Sequence, residues 1–358
     1  MKSSSRFRAG EFVEVRSREE ILASLDKNAR LDGLPFMPEM LAWSGRRLRG
    51  YKRAHKTCDP SHGIDGRSMQ SAVHLEDARC DGSAHGGCQA RCLLFWKDAW
   101  LKKIDEASVP ALDSTNTSEG SNDGVSGCSE SDVLAGTRKR DEDDTKDSPT
   151  FVCQATQIGE ATQLLRWWDL RQYFEDYTSG NVRISEMIAP FIFFAYSLLI
   201  SSGIGLGSAF RWLYDLFQKL TGGTPYPVRI GRVLSGRKTP SKNLGLQPGE
   251  LVRVRGYQEI LDTLDNTSRN RGMWFDAEMV PYCGKTFQVL DRMQTIVDEK
   301  TGKLLKLKND CIVLDKAVCM ACYAKYRLFC PREIYAWWRE IWLERANTTD
   351  ESQRVPKG

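Results

Sequence analysis

GEFVEVRSREEILASLDKNARLDGLPFMPEMLAWSG, residues 10–45, has a near copy further along the chain: GELVRVRGYQEILDTLDNTSRNRGMWFDAEMVPYCG, residues 249–284. A constant offset of 239 aligns 10–59 with 249–298 without a gap, and 18 of the 50 pairs are identical. Unrelated sequences would share roughly three. The chain therefore contains a duplication. The match resumes after a length change, with AVHLEDARC (72–80) falling on CIVLDKAVC (311–319) at the same offset. Cys80 then corresponds to Cys319. Three extra residues in the second copy bring Cys88 onto Cys330 and FWKDAWLKK (95–103) onto WWREIWLER (337–345).

The repeat reads as mostly β. FVEVR and LVRVR alternate apolar and polar residues, as half-buried strands do. EILASLD and EILDTLD suit one or two helical turns. KTFQVL and CIVLDKAVC read as strands, and QTIVDEKTGKLLKLK as a hairpin. The expected fold class is α+β, with two tandem, small, SH3-like, partly open barrels. Trp96 and Trp100, like Trp338 and Trp342, stand four apart, so each repeat is expected to close with an amphipathic helix packing both indoles on one face.

These patterns predict repeat 1 over 1–104, a linker over 105–150, a helical middle segment over 151–248, repeat 2 over 249–345 and a flexible tail over 346–358. Residues 105–150 have no Phe, Trp or Tyr and are rich in Ser, Asp, Glu, Gly and Thr. Such a stretch buries too little apolar area to offset its ordering entropy, so it is expected to be disordered, with Cys128 exposed. In the middle segment, the run from Met187 to Phe210 carries no charge. Its dense apolar part, Met187 to Ile200, is short for a membrane span and holds Pro190. A buried or repeat-docking helix is expected, with membrane contact through 187–210 as the alternative.

All four histidines, His55, His62, His74 and His85, lie in one short stretch with Cys58, Cys80, Cys88 and Cys92. Copy two carries Cys311, Cys319, Cys322 and Cys330, spaced C-x7-C-x2-C-x7-C. Thiols two or three residues apart can grip one ion from a single turn, and a second pair from nearby chain completes a tetrahedron. Two metal clusters are therefore expected, one per repeat: Cys58, Cys80, Cys88, Cys92 and Cys311, Cys319, Cys322, Cys330. His55, His62 and His85 are additional ligand candidates, and zinc and an iron–sulfur cluster both suit the donors. The glycine-rich CDGSAHGGC loop can fold its backbone around such a centre. His74 alternates with Val73 and Leu75 and is expected to face solvent, whereas Cys283 is expected to be a buried apolar residue.

The start, MKSSSRFRAGEFVEV, shows no apolar h-region. A cytoplasmic, reducing setting follows as the expectation, and the odd count of eleven cysteines fits metal better than a disulfide framework. The net charge of +4 is slight. SGRRLRGYKRAHK (44–56), however, holds six Lys or Arg, so nucleic acid is a candidate partner through 46–56. No Walker loop, GxGxxG, GxSxG or HExxH occurs, and no catalytic residue is assigned. Glu39 and Glu278 fall at matched positions, which the fold alone would explain.

GEFVEVRSREEILASLDKN, YKRAHKTCD, HLEDARCDGSAHGGCQARCLLFWKDAWLKK, GELVRVRGYQEILDTLD and WWDLRQYFEDYTSGNVR (167–183) together resemble a family of bacterial proteins carried as hypothetical. The resemblance runs through both repeats. It implies no reaction and carries over no catalytic residue. The barrel is similar to SH3-like modules, such as those of nitrile hydratase β subunits, in strand pattern only, which gives no function. The expected function is a metal- or iron–sulfur-binding protein, accessory to a biosynthetic or redox enzyme and with a protein partner. The alternatives are an iron–sulfur or thiol redox enzyme, with Cys319 and Cys322 as its pair, and a scaffold with structural zinc that binds nucleic acid or a protein.

Overall fold

The computed structural model describes residues 7–61, 63, 65–104, 128–139, 149–202 and 205–346. The architecture is α+β, made of small antiparallel sheets and short helices. The chain divides into two compact units. The first takes residues 1–183 together with 297–305 and 330–332, and the second takes the remainder. His62, most of the expected linker (105–127 and 140–148) and the tail from 347 lie outside the described residues.

The first unit carries a five-stranded sheet: β1 (Phe12–Val15), β2 (Arg47–Arg53), β3 (Ala72–Leu75), β4 (Trp96–Lys97) and β5 (Leu101–Lys103), in the order β4-β3-β2-β1-β5. The second copy has β6 (Leu251–Val254), β7 (Thr286–Val297), β8 (Leu304–Val318), β9 (Tyr335–Trp338) and β10 (Leu343–Arg345), in the order β9-β8-β7-β6-β10. The two orders are the same, so the duplication seen in sequence extends to topology. β7 and β8 form the expected hairpin, with Asp298 N–H donating to Lys303 O at 2.9 Å.

Neither sheet closes on itself by hydrogen bonds among the described residues. Both are nevertheless curled. Only Asp98–Trp100 separates β4 from β5, although these strands are the two edges of the sheet. That connection spans at most about 14 Å, whereas the edges of a flat five-stranded sheet stand about 19 Å apart.

This connection corrects the expected tryptophan helix. Trp96 lies in a strand, Asp98–Trp100 forms a single 3-10 turn, and Leu101 resumes a strand. The second copy does the same with Tyr335–Trp338, Glu340–Trp342 and Leu343–Arg345. The indoles still share one side. Trp100 meets Phe36 edge-on at 5.0 Å and 85°, and Trp342 meets Phe275 at 5.1 Å and 81°. Trp100 N–H donates to Ser24 Oγ at 3.1 Å, and Trp342 N–H to Thr263 Oγ1 at 2.9 Å. All four tryptophans are fully buried. Aromatic pairs of this kind contribute about 0.5–1.5 kcal/mol beyond the area they bury.

The short helix after the first strand forms as its sequence suggests. In α1 (Arg18–Ala23) the Ser17 hydroxyl accepts from Glu20 N–H and the Glu20 carboxylate accepts from Ser17 N–H, a reciprocal cap. The counterpart Tyr257–Leu261 begins after Gly256, which keeps only the Glu259 half.

Part of the expected linker is ordered core. Ser129 caps α2 (Glu130–Ala135). Cys128 is 8% exposed and packs in the first core, rather than lying in solvent. The expected helical middle segment is divided at Arg183. Its first part holds α3 (Arg171–Thr178) and a strand, Gln163–Leu165, paired with Gly66–Ser68. Its second part holds α4 (Ile184–Ser201) and α5 (Gly207–Thr221). α4 is long and apolar enough to cross a membrane, yet only 22% of it is buried. It is not buried all round, but Met187, Pro190, Phe193 and Ser197 turn inward and Phe193 meets Tyr323 edge-on at 4.9 Å, the one-sided burial of a docking helix.

The basic stretch 44–56 is largely neutralised within its own unit. Arg53 and Lys56 point inward, Arg53 to Asp98 and Glu175, and Lys56 to Asp176 at 2.5 Å. Arg47 and Arg49 pair with Glu14 and Glu76. Strand alternation in β2 turns part of the charge into the interior, so the stretch is not one exposed stripe.

Candidate metal centre

The segment 80–92 is a tight loop held shut at its base. Cys80 N–H donates to Cys92 O at 2.8 Å, and Arg79 bridges Leu93. Inside the loop, the N–H groups of His85 and Gly87 both donate to Gly82 O at 3.0 Å. Gly82 has φ +75, and a Cβ there would lie 1.9 Å from Cys88 O. Only glycine allows this closure, which is the physical content of the glycine-rich CDGSAHGGC motif.

The loop walls a small cavity of about 40 Å³. Cys80, Cys88, Cys92 and Cys153 all line it, with His85, Glu299 and Arg332. The four cysteines are free thiols. Cys153 was not expected from the sequence, because it lies outside both repeats. Gln154 delivers it: its side chain accepts from Phe95 N–H at 2.8 Å and donates to Phe95 O at 2.9 Å and Pro35 O at 3.2 Å. Cys88 Sγ accepts from Val297 N–H at 3.3 Å. Arg332, 2% exposed, donates to Glu299 at 2.6 Å and to Cys58 O at 3.1 Å.

One side of the loop gathers Glu39, Cys80 and His85, whose ligand atoms all lie within 4.8 Å of one another. No other three donors among the described residues come so close. Cys80 Sγ is 3.8 Å from His85 Nδ1. His85 Nε2 is buried with no hydrogen-bond partner, and the buried Glu39 oxygens meet no donor but the Cys80 thiol. Buried polar atoms of this kind are costly unless something answers them.

Burial sets the protonation of the group. It pushes the Cys92 thiol up to about 12, although the Arg332 guanidinium pulls the other way. It pushes Cys153 up to about 11 and Cys80 well above the ordinary thiol range, with the Glu39 and Cys92 charges adding to the effect. Burial holds His85 below the usual imidazole range, so its ring is neutral at pH 7 and offers a lone pair. The donor set of soft thiols, a neutral imidazole and a carboxylate fits a zinc or iron centre, and a bound cation would reverse the thiol shifts by stabilising thiolate.

The remaining expected ligands sit elsewhere. Cys58 is buried in the strand Lys56–Cys58 and does not line the cavity. His55 faces Asp176 at 3.2 Å and Gln172 O at 3.3 Å. His74, expected to face solvent, is fully buried, with Nδ1 2.9 Å from Leu94 O. All four residues of β3 are buried, so alternation gives it no exposed face. In copy two, Cys330 belongs to the first unit while Cys311, Cys319 and Cys322 belong to the second. Cys311 Sγ contacts Met273 Sδ at 3.5 Å, and Cys322 Sγ lies 3.6 Å from Met320 O. Cys283 packs against the second core, as expected.

No known protein family matches this chain, and no curated protein does.

Proposed function

We propose that the first unit is a metal-binding module whose centre is built on Cys80, Cys88, Cys92 and Cys153. A single observation carries this reading: four free thiols from two stretches of chain, the 80–92 loop and Cys153, line one small cavity, beside the Glu39 carboxylate and the His85 imidazole. We read the occupant as an iron–sulfur cluster, a group that four cysteine thiols suit. Four thiolates on one zinc would stand about 3.8 Å apart, given a Zn–S bond of about 2.3 Å. No three of these thiols lie mutually within 4.8 Å. A cluster spreads its cysteine ligands over several irons. A zinc ion on Glu39, Cys80 and His85 is the alternative occupant.

The chain on this reading is a cytoplasmic accessory protein that supplies its centre to a biosynthetic or redox partner enzyme. Each repeat is read as an SH3-like, partly open barrel. The shared strand order and the three-residue link between opposite edges support that reading. Purification without oxygen, followed by iron, sulfide and zinc analysis per chain, tests the centre. Iron with sulfide supports the cluster. Zinc alone favours the scaffold alternative. A protein that takes up neither metal on reconstitution overturns the proposal.

A second reading, contact with a membrane surface through 187–210, rests on the apolar side chains α4 and α5 leave in solvent. Ile188, Ile192 and Phe217 are each more than half exposed, and Trp212 is 65% exposed. Flotation with liposomes of anionic and neutral lipid tests it. Protein that stays at the bottom of the gradient with both would remove this reading.

A further inference from the structure

The duplication allows one corner of the two repeats to be compared residue by residue. In the first unit Lys97 donates to Asp32 at 3.0 Å and to Gln70 O at 3.0 Å, and beside it Arg53 faces Asp98 at 3.6 Å. The aligned residues in the second unit are Arg339, Arg271, Arg292 and Glu340. The Arg292–Glu340 pair is kept, at 2.7 Å. The other pair is not: the acid has become arginine, so two guanidinium groups share the corner without a carboxylate between them.

A pocket of about 330 Å³ opens at this place, lined by Arg271, Arg292, Arg339, Lys242, Lys308 and the carboxylates of Asp310 and Glu340. Both carboxylates are already engaged. Asp310 accepts from Arg292 at 2.9 Å, and Glu340 accepts from Arg292 and from the N–H groups of Leu244 and Leu246. Among the described residues, Arg271, Arg339, Lys242 and Lys308 have no ion-pair partner. The guanidiniums are held in place by neutral acceptors. Arg271 donates to Thr239 O and Ser241 Oγ, and Arg339 to Asn309 O and Arg271 O. Arg339 Nε is buried with no partner.

The backbone fixes where the guanidinium stands. Arg271 has φ +48, matching φ +51 at Asp32, because Arg271–Gly272 and Asp32–Gly33 are the two-residue turns of matching hairpins.

We propose that the second unit binds a small multivalent oxyanion, of the phosphate or carboxylate class, in this pocket. The volume suits a small molecule. Planar guanidiniums with nearby ammonium groups are the donors that recognise such anions. The polar lining matches charge rather than an apolar body.

The test uses the full chain, with pyrophosphate and citrate titrated by calorimetry and thermal shift against chloride at equal ionic strength. One saturable site per chain is expected, and whichever anion binds tighter assigns the class. Arg271→Asp restores the acid of the first repeat and is expected to weaken binding at least tenfold, while the melting temperature without anion holds or rises. The double variant Lys242→Gln/Lys308→Gln alters only the exposed rim and is expected to weaken binding several-fold, so it decides the matter if Arg271→Asp does not fold. The proposal is overturned if neither anion gives saturable binding, or if binding survives unchanged in a folded variant.

Discussion

Glu39 and Glu278 occupy the same position of the two repeats, and only Glu278 is answered by the backbone. Glu278 Oε1 accepts from Tyr323 N–H at 2.5 Å, in the segment that follows Cys319. Glu39 faces the corresponding loop of the first repeat, where Cys80 and His85 stand instead and no backbone N–H reaches it. The same buried carboxylate thus meets a backbone amide in one copy and a thiol and an imidazole in the other.

Glu39→Gln keeps the shape and removes the charge. If the carboxylate helps hold a cation, metal affinity should fall by about 10–100-fold, while the metal-free protein melts at the same temperature or higher. Metal content by mass spectrometry, paired with a melting curve, checks both halves.

Cys153→Ser should abolish the centre, although Cys153 lies far from the other thiols in sequence. Loading should drop to roughly a tenth of wild type or less. Cys283→Ser, in the second core, is the control and should load normally. Equal loading of the two variants would remove Cys153 from the ligand set.

Loading should tighten as pH rises. Burial pushes Cys92 up to about 12, Cys153 up to about 11 and Cys80 higher still, so these three carry protons at neutral pH, and each must lose one on ligation. Three released protons make apparent affinity rise about a thousandfold per pH unit around neutrality. Titrations at two pH values, with proton release measured in weak buffer, would show it.

The first unit should weaken in acid. Burial pushes His74 down to about 3, against about 6.5 for an unfolded histidine. Between those values only the unfolded chain binds the proton. The contribution of His74 is thus fully present above pH 6.5 and is lost as pH falls toward 3, at about 1.4 kcal/mol per pH unit. His74→Asn retains a donor for Leu94 O and should flatten this slope in denaturant titrations.

The second unit should behave in the opposite sense. Burial pushes Glu278 up to about 7, although the backbone N–H of Tyr323 opposes the shift. Between about 4.5 and 7 the folded state keeps a proton that the unfolded chain has released. Stability is therefore lost as pH rises through that window, by up to about 3 kcal/mol on the linkage relation. Glu278→Gln should remove the loss, read as a rise in the melting temperature of that unit at pH 8 and little change at pH 5.

Much of the fold was legible because the duplication repeats its signals. Matched alternation in FVEV and LVRV and matched helical turns in EILASLD and EILDTLD each gave the same answer twice. The tryptophan spacing misled because four residues can return a side chain to one face in two ways: by a helical turn, or by a strand, a 3-10 turn and a strand. Only packing on Phe36 and Phe275 separates them. Of the thiols that line the cavity, Cys80, Cys88 and Cys92 were singled out by their spacing. Cys153 was not, since the Gln154 clamp that positions it is a tertiary contact without a local pattern. The Cys311–Cys330 spacing looked like a ligand set, yet the chain assigns its last member to a different unit.

The cavity wall includes Val297, Glu299 and Arg332, all contributed by the later repeat's stretch of sequence. A fragment ending at Arg183 would carry three cysteines of the loop and Cys153, but it would lack the Val297 amide that meets Cys88 and the buried guanidinium beside Cys92. The thiol cavity is therefore not a property of the first repeat's sequence alone. Its wall needs two short pieces of the second repeat's sequence, and a break in the chain between the repeats would take them away.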